Sequence, residues 1–486
     1  MDTNQISRRD FIQTMSAGVA SCALATDRVE SSLRERKAVS RRPNLVYILT
    51  DQWRAQATGY ADDPNAHTPH LDALAGESVN FTNAVSCCPI CSPYRACLMT
   101  GRYPLTTGVF VNDVYLDNDA VSIAQAYNGA GYDTGYIGKW HLDAHGRSSF
   151  IPRERRQGFE FWKALECSHA YNDSYYFGDE NVKLKWEGYD AFAQTVEAQN
   201  YIKAHTDGAP FSIFLSLGPP HDPYQTAPER YRKRYDSESI VLRPNVPEEH
   251  RGKARTDLAG YYAHIAALDD CVGELIRTLE ECGIADDTIL VFTSDHGDML
   301  GSQGYYRKQK PWDESIKVPF LLRYPALLGS EGKVIDMPIN SPDIMPTLLG
   351  LSGVDVPSTV EGFDLSGEIL GEKELWDYAA LLMVPWTFHK YRLAEFRGIR
   401  TARYTYVARQ EGPWVMFDNE TDPFQLDNLC RKPEHGKLLE LLDDILQRRL
   451  KETNDEFLPG IEYIRKWGYK TDESGAVPYE GDTTKY

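Results

Sequence analysis

One pattern, repeated three times, narrows the folding of this chain more than any other: an unbroken apolar run followed at once by a polar cluster. Asn44–Thr50 runs into Asp51 and Gln52, Phe211–Leu217 into Gly-Pro-Pro-His221-Asp-Pro-Tyr224, and Thr288–Thr293 into Ser294, Asp295, His296 and Gly297. A strand with one solvated face alternates apolar and polar residues, whereas a continuous run is what burial on both faces of a parallel sheet requires. A shorter run, Thr134–Ile137, leads into Gly138, Lys139, Trp140 and His141. Between the second and third runs, Leu258, Tyr261, Ile265, Leu268, Val272, Leu275, Ile276 and Leu279 recur at helical spacing, and Gly283 follows as a C-cap. Strands alternating with helices predict an α/β fold with a mostly parallel sheet sandwiched by helices. Ligands of such sheets bind beyond the carboxyl ends of the strands. Every polar cluster falls at that end, so all four are expected to share one site.

The pattern changes near residue 375. Phe396–Thr401, Arg403–Val407 and Trp414–Phe417 read as short strands joined by turns, and Leu438–Arg449 as a helix. The expected organisation is a leader over 1–25, a charged linker over 26–42, a catalytic α/β unit over 43–375 and a small C-terminal α+β unit with an antiparallel sheet over 376–486. The leader, Ser7-Arg8-Arg9-Asp10-Phe11 with a mildly apolar run behind it, is similar to a twin-arginine export signal. Ala23-Leu24-Ala25 offers a cleavage site, and Val19–Cys22 alternatively a lipobox with Cys22 as lipid anchor. The expected location is the periplasm or cell envelope of a bacterium. A formal net charge of −19 argues against a nucleic-acid partner. An anionic substrate must then be drawn by local cations. No internal stretch reaches the length of a membrane span.

Residues 91–102, Cys-Ser-Pro-Tyr-Arg-Ala-Cys-Leu-Met-Thr-Gly-Arg, carry the chemistry. Pro93 suits the first turn of a helix, where its missing N–H is no loss. Cys91 is then expected at or just before a helix N-terminus, whose partial positive charge favours an anion. Arg95 lies one turn further on, able to brace whatever residue 91 becomes. Two plainer readings compete. Cys88 and Cys91 form a C-x-x-C that could be a dithiol redox pair. Cys87, Cys88, Cys91 and Cys97 could hold zinc, although they crowd closely and no second ligand pair follows.

The motif Cys91-x-Pro93-x-Arg95, closed by Leu98-Met-Thr-Gly-Arg102, resembles the signature of the formylglycine-dependent sulfatases, and Thr68–Asp72 and Ser341–Leu348 are similar to further segments of that family. The resemblance implies an alkaline-phosphatase/sulfatase-like fold and conversion of Cys91 to formylglycine by a maturation enzyme. It implies a divalent cation held by Asp51, Gln52, Asp295 and His296 together with residue 91; oxygen-rich ligation favours Ca²⁺. Gln52 and His296 depart from the acid and amide common in relatives. Lys139 and His141 match a G-K-W-H segment, where the lysine charge would hold the imidazole partly neutral and suited to a base. His221 matches a sulfate-contacting histidine. Lys308 matches the lysine facing sulfate and the leaving oxygen, with Lys310 as the neighbouring alternative. Ser92 and Arg54 are weaker candidates. The implied reaction is attack by an aldehyde hydrate on a sulfate ester, assisted by Lys308 or His221, with His141 then taking the proton that releases sulfate. A sulfated carbohydrate is the expected substrate. Phosphonate monoesters or phosphodiesters on the same fold, and an inactive glycan-binding homologue, remain the alternatives.

Overall fold

A computed structural model describes residues 42–373, 375, 377–388 and 394–479. The leader with Cys22, and the linker up to residue 41, lie outside the described residues. The main sheet has eight strands: β1 (Asn44–Asp51), β2 (Val79–Phe81), β3 (Asp133–Lys139), β4 (Phe161–Leu165), β5 (Phe211–Pro220), β6 (Thr288–Ser294), β7 (Phe320–Arg323) and β8 (Lys333–Ile335). Their spatial order is β8-β2-β7-β6-β1-β5-β3-β4. β1 lies between β5 and β6 in parallel register, with Val46 opposite both Ile213 and Leu290. Only β7 runs against its neighbours β6 and β2.

The continuous apolar runs exist because both faces of the sheet are covered. Along β1, Leu45, Tyr47 and Leu49 enter one core with helix α1 (Cys91–Thr100). Val46 and Ile48 enter the opposite core, with α2 (Asp190–Ala204) and α3 (Arg251–Glu281). α3 buries the stripe Leu258, Tyr261, Ile265, Leu268, Val272, Leu275 and Leu279. At about 1.5–3 kcal/mol per large apolar side chain, this stripe is a principal clamp on the sheet. Its last turn ends at Cys282, and Gly283 takes the left-handed conformation (φ 68°) that the sequence assigns to it. α4 (Ser341–Leu351) completes the first layer.

A second, antiparallel sheet follows: β9 (Ala380–Val384), β10 (Phe396–Arg400), β11 (Tyr404–Arg409) and β12 (Gly412–Asp418). β9 has no counterpart in the sequence reading, which began the sheet at Phe396. One face is covered by Leu442, Leu446 and Leu450 of α5 (Gly436–Glu452). The other face packs on Met299, Trp312 and Ile316, which belong to the segment leaving β6. The small sheet therefore supports the loop that carries Lys308. Gln309 bonds the Trp386 carbonyl (3.2 Å), and Arg400 pairs with Asp313 (2.5 Å). No helix among the described residues is long and apolar enough to cross a membrane.

Two features near the site yield measurable consequences. Gly138 sits at φ 103°, and a Cβ there would lie 2.0 Å from the Ser216 carbonyl oxygen on β5. Gly138→Ala should cost about 3 kcal/mol in denaturant unfolding, because strand β3 must move away from β5. His264 is buried in α3, bonded to the Tyr189 hydroxyl (2.6 Å). Burial lowers its pKa from 6.5 to about 4, against a raising contribution from the Pro223 carbonyl. Between those values the unfolded chain binds a proton that the folded chain does not, so stability falls as pH drops from 6.5 towards 4. Melting temperatures across that window should decline, and His264→Gln should flatten the slope.

Candidate active site

α1 begins at Cys91 because Ile90 is still extended (φ −149°) and Pro93 needs no N–H partner in the first turn. The N-cap residue Ile90 has no side chain able to cap this helix end, and the Ser92 N–H donates instead to Asn112 Oδ1 (3.0 Å). Cys91 Sγ lies 2.9 Å from Lys308 Nζ, 3.3 Å from His296 Nε2 and 3.6 Å from Asp51 Oδ1. Burial and Asp51 raise the pKa of its thiol, but Lys139, Lys308 and His296 carry it well below the ordinary value. Cys87, Cys88 and Cys97 are pushed up by burial instead. Of the four clustered cysteines, only Cys91 has its thiol pKa lowered. All the described cysteines are free, and the candidate metal cluster takes Cys91 without its three neighbours, which counts against the four-cysteine zinc reading.

Ligand atoms of Asp51, Cys91, Asp295 and His296 lie within 4.8 Å of one another, all buried. Lys139 Nζ donates to Asp51 Oδ2, and Arg95 Nη2 donates to Asp295 Oδ2 at 3.0 Å. Arg95 Nη1 ties the Lys139 carbonyl (2.8 Å) and Ser216 Oγ (2.7 Å). Arg95 was expected to brace residue 91. It braces the carboxylate and two strand ends instead, because its side chain runs under the sheet edge. For Asp51, burial raises the pKa, but Lys139, His221, Lys308 and His296 hold it well below the carboxylate range. Asp295 is raised by burial and by Asp51, and His296 is raised by its acidic neighbours despite burial and Lys308. Gln52, at φ 71°, donates its Nε2 to Asp298 Oδ2 (2.7 Å) and Tyr224 OH (3.3 Å), while its buried Oε1 has no hydrogen-bond partner. Two carboxylates, an imidazole nitrogen and a bare amide oxygen are a donor set that fits a hard divalent cation.

The Lys139–His141 expectation needs correction. Lys139 is committed to Asp51, and His141 Nε2 pairs with Asp113 Oδ1 (2.8 Å). Burial and Lys139 lower the His141 pKa, but Cys167 and Asp113 raise it well above the ordinary value. Among the described residues no hydrogen bond joins His141 to Cys91, and its buried Nδ1 has no partner. His221 comes closer to the expected neutral acceptor. Burial, His169 and Lys308 lower its pKa, and its Nε2 stands 3.2 Å from Lys308 Nζ. Of the two lysines, Lys308 reaches residue 91, whereas Lys310 Nζ donates to the Lys308 carbonyl (2.7 Å) with its pKa lowered by burial to about 8. Arg54 turns away to Tyr262 OH (3.4 Å) on α3, and Ser92 Oγ is buried without a partner.

Several neighbours were not singled out from sequence. Asp298 accepts from Gln52, Tyr224 OH (2.5 Å) and the Leu300 and Arg307 N–H groups, so it sets the loop after β6. Its position three residues beyond Asp295 was a usable signal. Glu166 accepts from the N–H groups of Leu142, Asp143 and Ala144, pinning the chain behind His141, and burial raises its pKa to about 7. His169 stacks on His221 with ring centroids 4.3 Å apart. Cys167 accepts from Arg147 Nη2 (3.3 Å). Tyr479, near the C-terminus, is buried with a hydroxyl that has no partner, facing Asp113, Cys167, Glu166 and Arg147. Nothing in local sequence pattern marks these.

Comparison with known proteins agrees with this geometry. The family model described as Sulfatase matches residues 43–354, and that described as N-sulphoglucosamine sulphohydrolase, C-terminal, matches 301–453. An ulvan-active sulfatase of Formosa agariphila is 47% identical over 444 residues, covering 90% of this chain and 87% of its own. An endo-4-O-sulfatase of Bacteroides thetaiotaomicron is 30% identical, with 85% and 92% coverage. A solved sulfatase-like chain from Bacteroides fragilis superposes with a TM-score of 0.78 at 32% identity, over 87% of this chain and 98% of that one.

The donor set makes a prediction that does not depend on turnover. Calcium added to metal-stripped protein should raise the melting temperature by several degrees, because a ligand that binds only the folded state stabilises it. Asp295→Asn should abolish the rise. Equal melting curves with and without calcium in the wild type would discount these residues as cation ligands.

Proposed function

Because this chain belongs to the sulfatase family and is a sulfuric ester hydrolase, we propose that it removes sulfate from a sulfated carbohydrate, through formylglycine formed at Cys91 and one calcium ion. The carrying observation is residue 91 itself: a buried thiol at a helix N-terminus, in a field of lysine and imidazole that favours an anion. Relatives named for ulvan and for an endo-4-O position support a polysaccharide substrate. The leader read in residues 1–25 supports export, with the maturation enzyme acting beforehand. The catalytic unit would span 43–375, and the smaller unit 376–486 would brace its Lys308 loop.

Oxidation of the thiol to an aldehyde and hydration would place two hydroxyl groups where Sγ now stands, one to attack sulfur and one to release sulfate afterwards. A cation bound by Asp51, Gln52, Asp295 and His296 would supply neutralising charge for the sulfate oxygens. The chain's own residues do the rest. Lys308, 2.9 Å from Sγ, holds positive charge against the attacked group and the departing oxygen. His221, held neutral and 3.2 Å from Lys308, can accept a proton from it or orient it. Lys139 and Arg95 keep Asp51 and Asp295 in place rather than touching substrate. Against burial, Cys167 and Asp113 raise the His141 pKa, which works against its service as a base. The Asp51–Gln52 and Asp295–His296 pairs also suit phosphonate or phosphodiester cleavage, the second reading.

Incubation with sulfated polysaccharide fragments should release inorganic sulfate, with the aldehyde form detected by mass in the tryptic peptide holding residue 91. Cys91→Ala should lose activity by ~10⁴-fold or more. Preference for an aryl phosphonate over the matched aryl sulfate would favour the second reading, and undiminished turnover by Cys91→Ala would refute the nucleophile.

A further inference from the structure

A cleft of about 580 Å³ is lined among others by Ser148, Phe150, Arg155, Phe177, Asn181 and Lys183. It is larger than one charged sugar unit needs and falls in the size range of ligand pockets. A chain of contacts connects it to residue 91. Lys308 touches Cys91 and His221, His221 stacks on His169, and His169 Nδ1 lies 3.4 Å from Arg147 Nη2, next to Ser148 on the cleft wall. On the other flank, Asp143, two residues beyond His141, holds Arg155 by Nε (2.5 Å) and Nη2 (3.2 Å).

The cleft is cationic and aromatic at once. Asp143 is fully buried, so it fixes the Arg155 guanidinium like a splint, and among the described residues Arg155 Nη1 has no hydrogen-bond partner. Lys183 is exposed, stands 4.4 Å from the centroid of Tyr175, and has no carboxylate within ion-pair reach among the described residues. Of the nearby acids, Asp179 pairs with Arg156 and Asp173 with Lys185. Phe150 and Phe177 meet edge to face at 5.8 Å, offering an apolar platform beside these cations. Arg155, though its charge is paired with Asp143, keeps one donor group for a ligand, and Lys183 has no ion-pair partner among the described residues.

We propose that this cleft binds an acidic sugar unit of the substrate glycan, adjacent to the unit whose ester is cut, with Arg155 and Lys183 taking its anionic group and Phe150 its ring face. The proposal rests on the sulfatase reading for the neighbouring site, while its ligand, an oxyanion on a sugar, is either a uronate carboxylate or a second sulfate. Arg155 Nη1 presents a fixed donor to such an oxyanion, and Lys183 adds an unscreened charge at the mouth.

The test uses the full chain and three sulfated oligosaccharides that differ only in the neighbouring unit: neutral, uronate or sulfated. Lys183→Glu and Phe150→Ala are preferred to changes at Arg155, which would strand the buried Asp143 charge and threaten folding. Expected is about a tenfold loss of kcat/KM on the acidic oligosaccharide, carried by KM, with the neutral oligosaccharide and para-nitrophenyl sulfate unaffected. The arm that shows the loss, uronate or sulfate, identifies the anion. In parallel, calorimetry measures binding of the same uronate and sulfated oligosaccharides to Cys91→Ala protein, with and without Lys183→Glu. If the wild type releases no sulfate from any ester but binding still weakens about tenfold on Lys183→Glu, the cleft stands and the sulfatase reading falls. Unchanged binding and unchanged kcat/KM in both variants overturn the cleft, as does an equal loss on para-nitrophenyl sulfate.

Discussion

The interaction on which the rest depends is the buried ion network at the carboxyl end of β1. Asp51 and Asp295 stand side by side with almost no water, a placement that would be prohibitive for two lone carboxylates. Lys139 on Asp51 and Arg95 on Asp295 offset that cost. Removing one partner of such a pair costs about 3–5 kcal/mol, since the survivor is left uncompensated. The network also sews together β1, β3, β5, β6 and α1, because Arg95 reaches the Lys139 carbonyl and Ser216 as well. Catalytic geometry and strand alignment are therefore one structure here.

That arrangement leaves a surplus of positive charge around residue 91. Lys308 and His296 crowd its sulfur, and the start of α1 adds its own partial charge. A sulfate ester, itself an anion, is suited to this cluster of cations. The loop that delivers Lys308 rests on the small antiparallel sheet, through Gln309 and Trp386 and through Asp313 and Arg400. The C-terminal sheet thus acts on the chemistry at one remove.

Strand-end motifs were legible because parallel-sheet topology forces them to one edge. Once Asn44–Thr50, Phe211–Leu217 and Thr288–Thr293 are read as doubly buried strands, Asp51, His221 and Asp295 must converge. Side-chain direction was not legible in the same way. Arg95 follows Cys91 by one helical turn, yet it leans towards the strand ends, and Lys139 pairs with Asp51 rather than governing His141. β9 escaped notice because its run, Ala380–Val384, is read against no polar motif and gains its identity only from pairing with β10.

By itself the sequence determined the α/β class, the edge where the site lies, the nucleophile candidate and the acids beside it, because those follow from local hydrophobic pattern and strand-end position. Tertiary structure alone decided the pairing of His141 with Asp113, the approach of Lys308 rather than Lys310 to residue 91, and the assembly of Glu166, Cys167, His169 and Tyr479 around them. The physical reason is that such a pairing depends on every group within a few ångströms, and those groups come from segments more than three hundred residues apart in the chain.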